Sequence, residues 1–509
     1  MEASANARFN ATSWRTSAAS LTVAALYLCI VIWLALRTRV FMDEIWLIEW
    51  GRVFLDPNTP YSMYMSAAGS SLKPPTWFGP MLAELLFRLT GSVSAFRILN
   101  AVAMLLVAGS IIRLARNRGL SVGLALTLSI VVVLDPTLVQ SVVLGRPDAL
   151  GFLFSIGGLA LADVGVARLL TTRKGWLLAA FGYGACVFSL SIWLSAVLMG
   201  PLIVAHWLSS WIRIQRSVGS AGRATGTFLL APVLVAALTI DFSHLLAVGQ
   251  AHSENPIFTA WTSWEVIRSI PGQLSVSLLL IMPGLAVLPL IRPGWLALAL
   301  ASGICLIFLS GFYPFRIPHL LMYCAAATAL VIARSRTQDQ LRAWQRYLRV
   351  AAVISALLLA LRIAFAFSNE VRLAPAQTWL QTLPAATRVA DYSWDFYEAG
   401  RFHGLQPMRS YPGDPGDKVL MWLNGLQPDV VVRAVDANGT FVLVDDLDDK
   451  LIRAGYCSTG WFDAQGRAVS ADMVPRPVPS ALLWRLGLFR DHGPYAIWRR
   501  CGFTEPARG

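Results

Sequence analysis

The run Ser20-Leu-Thr-Val-Ala-Ala-Leu-Tyr-Leu-Cys-Ile-Val-Ile-Trp-Leu-Ala-Leu-Arg37 carries no charge before its last residue, and a few residues later the chain reads Asp43-Glu44. A predominantly apolar run of this length can cross a bilayer as a helix. It reads as a first transmembrane span, with the acid pair held at its mouth. Carboxylates kept close to hydrocarbon are costly and mark function. Working outward, Pro60-Tyr61 follows in the same polar stretch. Lys73-Pro74-Pro75 closes that stretch just before the next helix begins.

The rest of the chain agrees with a membrane reading. Of 509 residues, 56% are hydrophobic and 14% charged, where a soluble protein carries roughly a quarter charged residues. The mean hydropathy is +0.57. Further runs long enough to span lie at about 95–113, 120–136, 149–169, 176–192, 193–212, 226–246, 273–291, 294–312, 317–334 and 350–367. With the first, that makes about eleven candidate spans. The 176–212 stretch is long for one helix and divides near Ser191. Segment 77–90 is amphipathic and too short to span, so it reads as a helix lying in the interface.

Basic residues cluster between the spans: Arg113, Arg116 and Arg118; Arg168, Arg173 and Lys174; Arg213, Arg216 and Arg223; then Arg334, Arg336, Arg342, Arg346 and Arg349. An eleven-span topology puts all of them on the side of the N-terminus, which the positive-inside rule makes cytoplasmic. The expected location is a bacterial inner membrane, with the C-terminal part in the periplasm. This topology accounts for the net charge of +13 without nucleic acid. Within residues 1–369, only Glu2, Asp163 and Asp339 fall on the cytoplasmic side. Asp43, Glu44, Glu49, Asp56, Glu84, Asp135, Asp148, Asp241, Glu254 and Glu265 gather at the outer face.

Beyond about residue 370 the acids and bases balance and the apolar runs shorten to strand length, near 388–392, 429–433, 440–444 and 495–498. Helix-like stretches fall at about 376–383, 395–403 and 417–426. The expected architecture is a polytopic α-helical membrane domain, 1–369, whose first extracytoplasmic loop covers about 38–94. A small soluble periplasmic α/β domain, 370–509, follows. Cys457 and Cys501 lie in that domain, where a disulfide can form. The other four cysteines sit in apolar runs as packing residues.

A carboxylate placed against a hydroxyl can act as general base. A lysine near the membrane surface can stabilise a phosphate as it leaves, and the two prolines after Lys73 fix the direction of the chain. An acid pair alone is explained as well by an interfacial loop with snorkelling charges. The acid pair, the Pro-Tyr turn and Lys-Pro-Pro together point to a site.

Asp43-Glu44, Pro60-Tyr61 and Lys73-Pro74-Pro75 before a membrane-entering helix resemble the GT-C glycosyltransferases. The nearest branch includes the protein O-mannosyltransferases and the lipid A aminoarabinose transferases. The resemblance covers about the first 115 residues; the rest is similar in layout. The chain differs in reading Asp-Glu-Ile-Trp where many relatives have a basic residue soon after the acids. The resemblance implies a polyprenyl-phosphate sugar donor, a lipid, glycan or protein acceptor at the outer face, and inversion at the anomeric carbon. Asp43 would then be the general base. Glu44 and Asp148 would orient acceptor and sugar, with Tyr61 in the substrate-binding loop. Lys73, Arg146 and Arg316 would hold the phosphate. A divalent cation at the acid pair stays open, because some members use one and others do not.

Gly145-Arg146-Pro147-Asp148 opens the fourth span, where an Arg–Asp pair could equally cap a helix. Tyr313-Pro-Phe-Arg316-Ile-Pro-His319 precedes the tenth, where His319 could add a hydrogen bond. The 246–272 loop sets Glu254 among Trp261 and Trp264, a pairing that suits a sugar, although tryptophan also anchors interfaces. The spacing of Asp241, His244, His252 and Glu254 demands no metal. Two rival functions are a flippase of lipid-linked sugars and a polysaccharide polymerase or ligase. A transporter would favour internal repeats and broken helices at the midplane, and a polymerase would place its key residues in late periplasmic loops.

Overall fold

A computed structural model of the chain describes residues 22–38, 40, 42–56, 76–172, 175–218, 221–241, 277–309, 316–335, 337–368, 380, 383–384, 387–391, 396–401, 406–407, 423, 427–434, 447–462, 468–469 and 495–502. The first helix, α1, runs Thr22–Arg37. The expected outer loop does not stay irregular after it. It re-enters a helix at once, α2 (Met42–Leu55), with Asp43 and Glu44 in the first turn. Carboxylates are favoured there by the unpaired backbone N–H groups. The amphipathic segment forms α3 (Phe78–Thr90), closed by Gly91 at φ 69°. It buries Ala83, Glu84 and Phe87 and leaves Leu85 and Leu89 exposed. The two helices pack backbone to backbone at Gly51, where a Cβ would collide with the Pro80 carbonyl.

The bundle continues with α4 (Ser94–Asn117) and α5 (Val122–Val133). Next comes α6 (Pro136–Val143), capped by Asp135, whose Oδ1 accepts from the Thr137 amide at 2.9 Å. Read from sequence as one span ending near Pro136, this stretch is instead a helix pair bent by 57°. Proline at the first position of α6 suits a new helix and stops the old one. Then come α7 (Asp148–Leu170), with a π-turn at Leu153–Gly157, and α8 (Trp176–Ile192). The long 176–212 stretch does divide, at Trp193, through a 3-10 turn Leu194–Met199 into α9 (Gly200–Val218). The remaining helices are α10 (Ala221–Thr239), α11 (Leu278–Ala286), α12 (Gly294–Leu309), α13 (Ile317–Ile332) and α14 (Gln338–Ser368).

Among the described residues four helices are long and apolar enough to cross a membrane, or up to five with the bent pair counted as one span. Shorter apolar helices include α1, α8, α12 and α13. The chain is a multi-pass membrane protein. The α14 helix shows how the bundle meets lipid. Leu348, Ala351, Ser355, Leu359 and Arg362 are buried along one stripe, while Val350, Val353, Leu357 and Leu361 are exposed. That is helical periodicity with its outer face apolar.

The C-terminal region forms a six-stranded mixed sheet. Its elements are β1 (Val389–Asp391), α15 (Tyr397–Gly400), β2 (Gln406–Pro407), β3 (Val430–Ala434), α16 (Leu447–Arg453), β4 (Tyr456–Phe462), β5 (Ala468–Val469) and β6 (Tyr495–Arg500). The strand order is β2-β1-β3-β6-β4-β5. The β1 strand is parallel to β2 and β3, and the other pairs are antiparallel. Three of the expected strands appear, as β1, β3 and β6, while β2, β4 and β5 go beyond that expectation. The 440–444 stretch, the 417–426 helix except Leu423, and most of 376–383 lie outside the described residues. Cys457 and Cys501 are joined in a disulfide across the β4–β6 pairing.

Candidate active site

Three acids and two arginines meet where the first turn of α2, α4 and the start of α7 converge. Glu44, in the first turn of α2, is gripped by Arg97 of α4: Nε donates to Oε1 at 2.5 Å and Nη2 to Oε2 at 2.5 Å. Arg97 Nη1 also donates to the carbonyls of Ala35 and Thr38 at 2.6 Å each. One guanidinium thus ties the end of α1 to the start of α2, satisfying carbonyls that a helix terminus leaves open. Gly145 backs the pair. Its φ is 63°, and a Cβ there would overlap Glu44 Oε1.

Beside this pair, Arg146 lies between two other acids. Its Nη1 donates to Asp43 Oδ2 and its Nε to Asp148 Oδ2 at 2.9 Å. Asp148 is further held by Ser141 Oγ at 2.7 Å and Ser195 Oγ at 3.3 Å. The Arg146 guanidinium carbon sits 5.8 Å from the Trp193 ring centroid. Trp193 continues into a row, 6.4 Å from Trp50, which stacks on Trp46 at 5.4 Å. His319, in the first turn of α13, packs edge-on against Phe152 at 4.9 Å, one turn along α7 from Asp148.

Exposure separates the acids. The side chain of Asp43 is 10% exposed, those of Glu44 and Asp148 3% and 0%. Asp43 is the least enclosed of the three, although it too is buried. The other two are enclosed and hold arginines in place.

The structure therefore brings together four of the residues singled out by sequence, Asp43, Glu44, Arg146 and Asp148, with His319 close by. Arg146, expected as an open fork for phosphate, has two carboxylate partners. Asp148, expected to touch sugar, is fully enclosed. Arg316 is the residue immediately before α13 and is partly buried. Tyr61, Lys73 and Glu254 lie outside the described residues.

Sequence reading missed Arg97, the two serines and the tryptophan row of this site, and passed over Arg362 on α14. Arg362 is 3% exposed on the inward stripe of α14, and its Nη1 is buried without a hydrogen-bond partner among the described residues. Both arginines left a signal: each is a charge inside an apolar run, and such charges face the bundle interior. The serines leave no signal, because a buried and an exposed serine look alike in one sequence.

A divalent cation at the acid pair is not matched by the donors. Asp43 and Glu44 each face a guanidinium, and no group of three or more His, Cys, Asp or Glu able to hold a metal occurs among the described residues.

No family model and no curated protein matches the chain. Several solved structures are similar to it. The Archaeoglobus fulgidus oligosaccharyltransferase AglB, in complex with an inhibitory peptide and a dolichol-phosphate, is 11% identical, over 93% of this chain and 77% of that one, with a TM-score of 0.49. ArnT from Cupriavidus metallidurans bound to undecaprenyl phosphate is 15% identical, over 84% and 94%, with a TM-score of 0.47. The arabinosyltransferase EmbB from Mycobacterium smegmatis is 14% identical, over 61% and 30%, with a TM-score of 0.40. At such identities and TM-scores the likeness says nothing about which atoms react.

Proposed function

We propose that this chain is an integral-membrane glycosyltransferase. It moves a sugar from a polyprenyl-phosphate donor to the hydroxyl of a lipid, glycan or protein acceptor at the periplasmic face of a bacterial inner membrane. The observation that carries the reading is the graded exposure of the acid cluster. Asp43 is the least enclosed of the three acids, and it is held by Arg146 through one oxygen. A carboxylate has lone pairs on both oxygens, so Asp43 can accept a proton while it stays oriented.

In this reading the acceptor hydroxyl gives its proton to Asp43 as its oxygen attacks the anomeric carbon. The bond from that carbon to the phosphate oxygen breaks on the opposite face, which inverts the centre. Polyprenyl phosphate departs with the bonding electron pair. It is stable as an anion and needs no protonation, so the site requires one base and a cationic cradle, with no general acid. Arg146 and Asp148 keep Asp43 aimed, and Glu44 with Arg97 fixes the turn that carries it. The tryptophan row offers ring faces to a sugar or an isoprenoid. Arg362 and Arg316, with Lys73 in the first loop, are the cations assigned to the phosphate. The Arg362 guanidinium, buried with no described counter-charge, is costly until an anion arrives. No step runs through a metal ion.

The test is transfer by purified protein in detergent, with a panel of polyprenyl-phosphate sugars and a membrane extract as acceptor. Wild type should release polyprenyl phosphate, and the active donor names the sugar. Asp43→Asn should lower the rate by about 10²–10⁴-fold with the fold intact. Consumption of no donor, together with movement of the lipid-linked sugar across reconstituted vesicles, would replace the enzyme by a transporter.

A further inference from the structure

The C-terminal domain touches the membrane domain through groups that the transfer chemistry does not use. Tyr397 Oη donates to Glu49 Oε1 at 2.7 Å, and Arg401 Nε donates to the same oxygen at 2.8 Å. Arg401 Nη2 reaches Glu84 Oε1 at 3.1 Å, an oxygen that also accepts from Arg88 Nε at 2.7 Å. Glu398 Oε1 accepts from Ser92 Oγ at 2.8 Å and from the Val93 amide at 2.7 Å. The Tyr397 ring packs on Phe87 at 5.6 Å, and the Arg401 guanidinium lies 6.0 Å from the Phe87 centroid.

These contacts are enclosed. The side chains of Glu49 and Glu84 are 1% and 0% exposed, and that of Arg401 is 10%. Exposed ion pairs contribute little, but these are enclosed. Without Arg401, the described ion pairs left to the two acids are the longer contact of Glu49 to Arg52 at 3.5 Å and that of Glu84 to Arg88 at 2.7 Å, so both lose a close, desolvated donor. Burial, and then the charge of Glu49, push the Tyr397 phenol well above its ordinary range, so it remains a donor. Burial also raises the Glu84 carboxyl, against the hydrogen bond from Arg88 and the charge of Arg401.

Glu49 lies on α2, the helix whose first turn carries Asp43. Arg97 holds the first turn of this helix through Glu44. Arg401 and Tyr397 hold the next turns through Glu49, and Arg401 also holds α3, against which α2 packs. Turning α2 about its axis would carry Asp43 away from Arg146. A misplacement of about 1 Å at a reacting group can cost roughly 10²-fold in rate.

We propose that Tyr397 and Arg401 are positioning residues for the transfer: docked through them, the C-terminal domain holds α2, and with it Asp43, in the reactive orientation. The kinetic part rests on the glycosyltransferase reading; the structural part stands without it. Neither residue meets substrate, and both act through Glu49.

The experiment compares full-length wild type, Tyr397→Phe, Arg401→Gln and a control, Arg453→Gln on the exposed face of α16, in lipid nanodiscs. Hydrogen exchange is read peptide by peptide, and transfer is read as kcat and KM separately. Amide exchange across 42–55 should rise roughly ten- to hundredfold in Tyr397→Phe and Arg401→Gln, as expected for losing a hydrogen bond to a charged group. Strands 456–462 and 495–500 should keep their protection, and the control should change neither region. Transfer should lose kcat with little change in KM for the lipid donor.

Unchanged exchange at 42–55 in both variants overturns the proposal. So does loss of protection in the strands of Tyr397→Phe, because the contact then merely holds the domain folded. A wild type that transfers no sugar removes the enzyme reading, and the exchange data still decide whether the domain holds α2.

Discussion

Replacing Arg97 by methionine tests the innermost support of the site. The variant keeps most of the side-chain volume and removes the charge. It leaves the Glu44 carboxylate, 3% exposed, without the guanidinium that meets both its oxygens at 2.5 Å. Breaking a buried pair by removing one partner costs about 3–5 kcal/mol, because the remaining charge stays desolvated. The carbonyls of Ala35 and Thr38 lose their donor as well, and each can add about 1 kcal/mol where water cannot replace it.

Replacing both members, Arg97→Met with Glu44→Gln, removes the stranded charge and should recover about half of the loss. The assay is a double-mutant cycle on denaturant unfolding in mixed micelles, followed by tryptophan fluorescence, with Arg97→Lys as a third variant. Lysine keeps the charge but lacks the planar fork, so it should fall between wild type and methionine. The reasoning is refuted if Arg97→Met costs less than about 1 kcal/mol, or if the single losses simply add in the double variant.

Arg362→Leu should separate stability from function. It removes a buried charge without a described partner, so the ligand-free protein should gain about 1–3 kcal/mol while KM for the lipid donor rises, both read on one purified sample. Gly145→Ala should destabilise by about 1–3 kcal/mol through its positive φ and the overlap with Glu44, and should lower kcat; thermal unfolding and a transfer assay check this. Cys457→Ser should lower the unfolding free energy of the C-terminal sheet by about 2–4 kcal/mol, seen as early loss of exchange protection at 456–462 while the bundle keeps its own.

The apolar runs and the placement of charge between them are local properties of the chain, and so the sequence by itself determined a helical membrane protein with a small mixed α/β domain after it. It also singled out Asp43-Glu44 and Arg146-Pro-Asp148, which the fold brings together, because charge at the edge of hydrocarbon is costly. The bend at Asp135-Pro136 follows from capping and proline chemistry, which reading the stretch as one span passed over; the break at Trp193 has neither a side-chain cap nor a proline to announce it.

The tertiary structure alone decided which acid is the least enclosed. Asp43 and Glu44 are neighbours with the same chemistry. Only the approach of Arg97 from α4 and Arg146 from the turn before α7 gives Glu44 a two-oxygen clamp and leaves Asp43 held through one oxygen. The same holds for Tyr397 and Arg401, more than three hundred positions from Glu49 along the chain. Such partners are fixed by packing between distant segments, and one sequence carries no periodicity or spacing that records it.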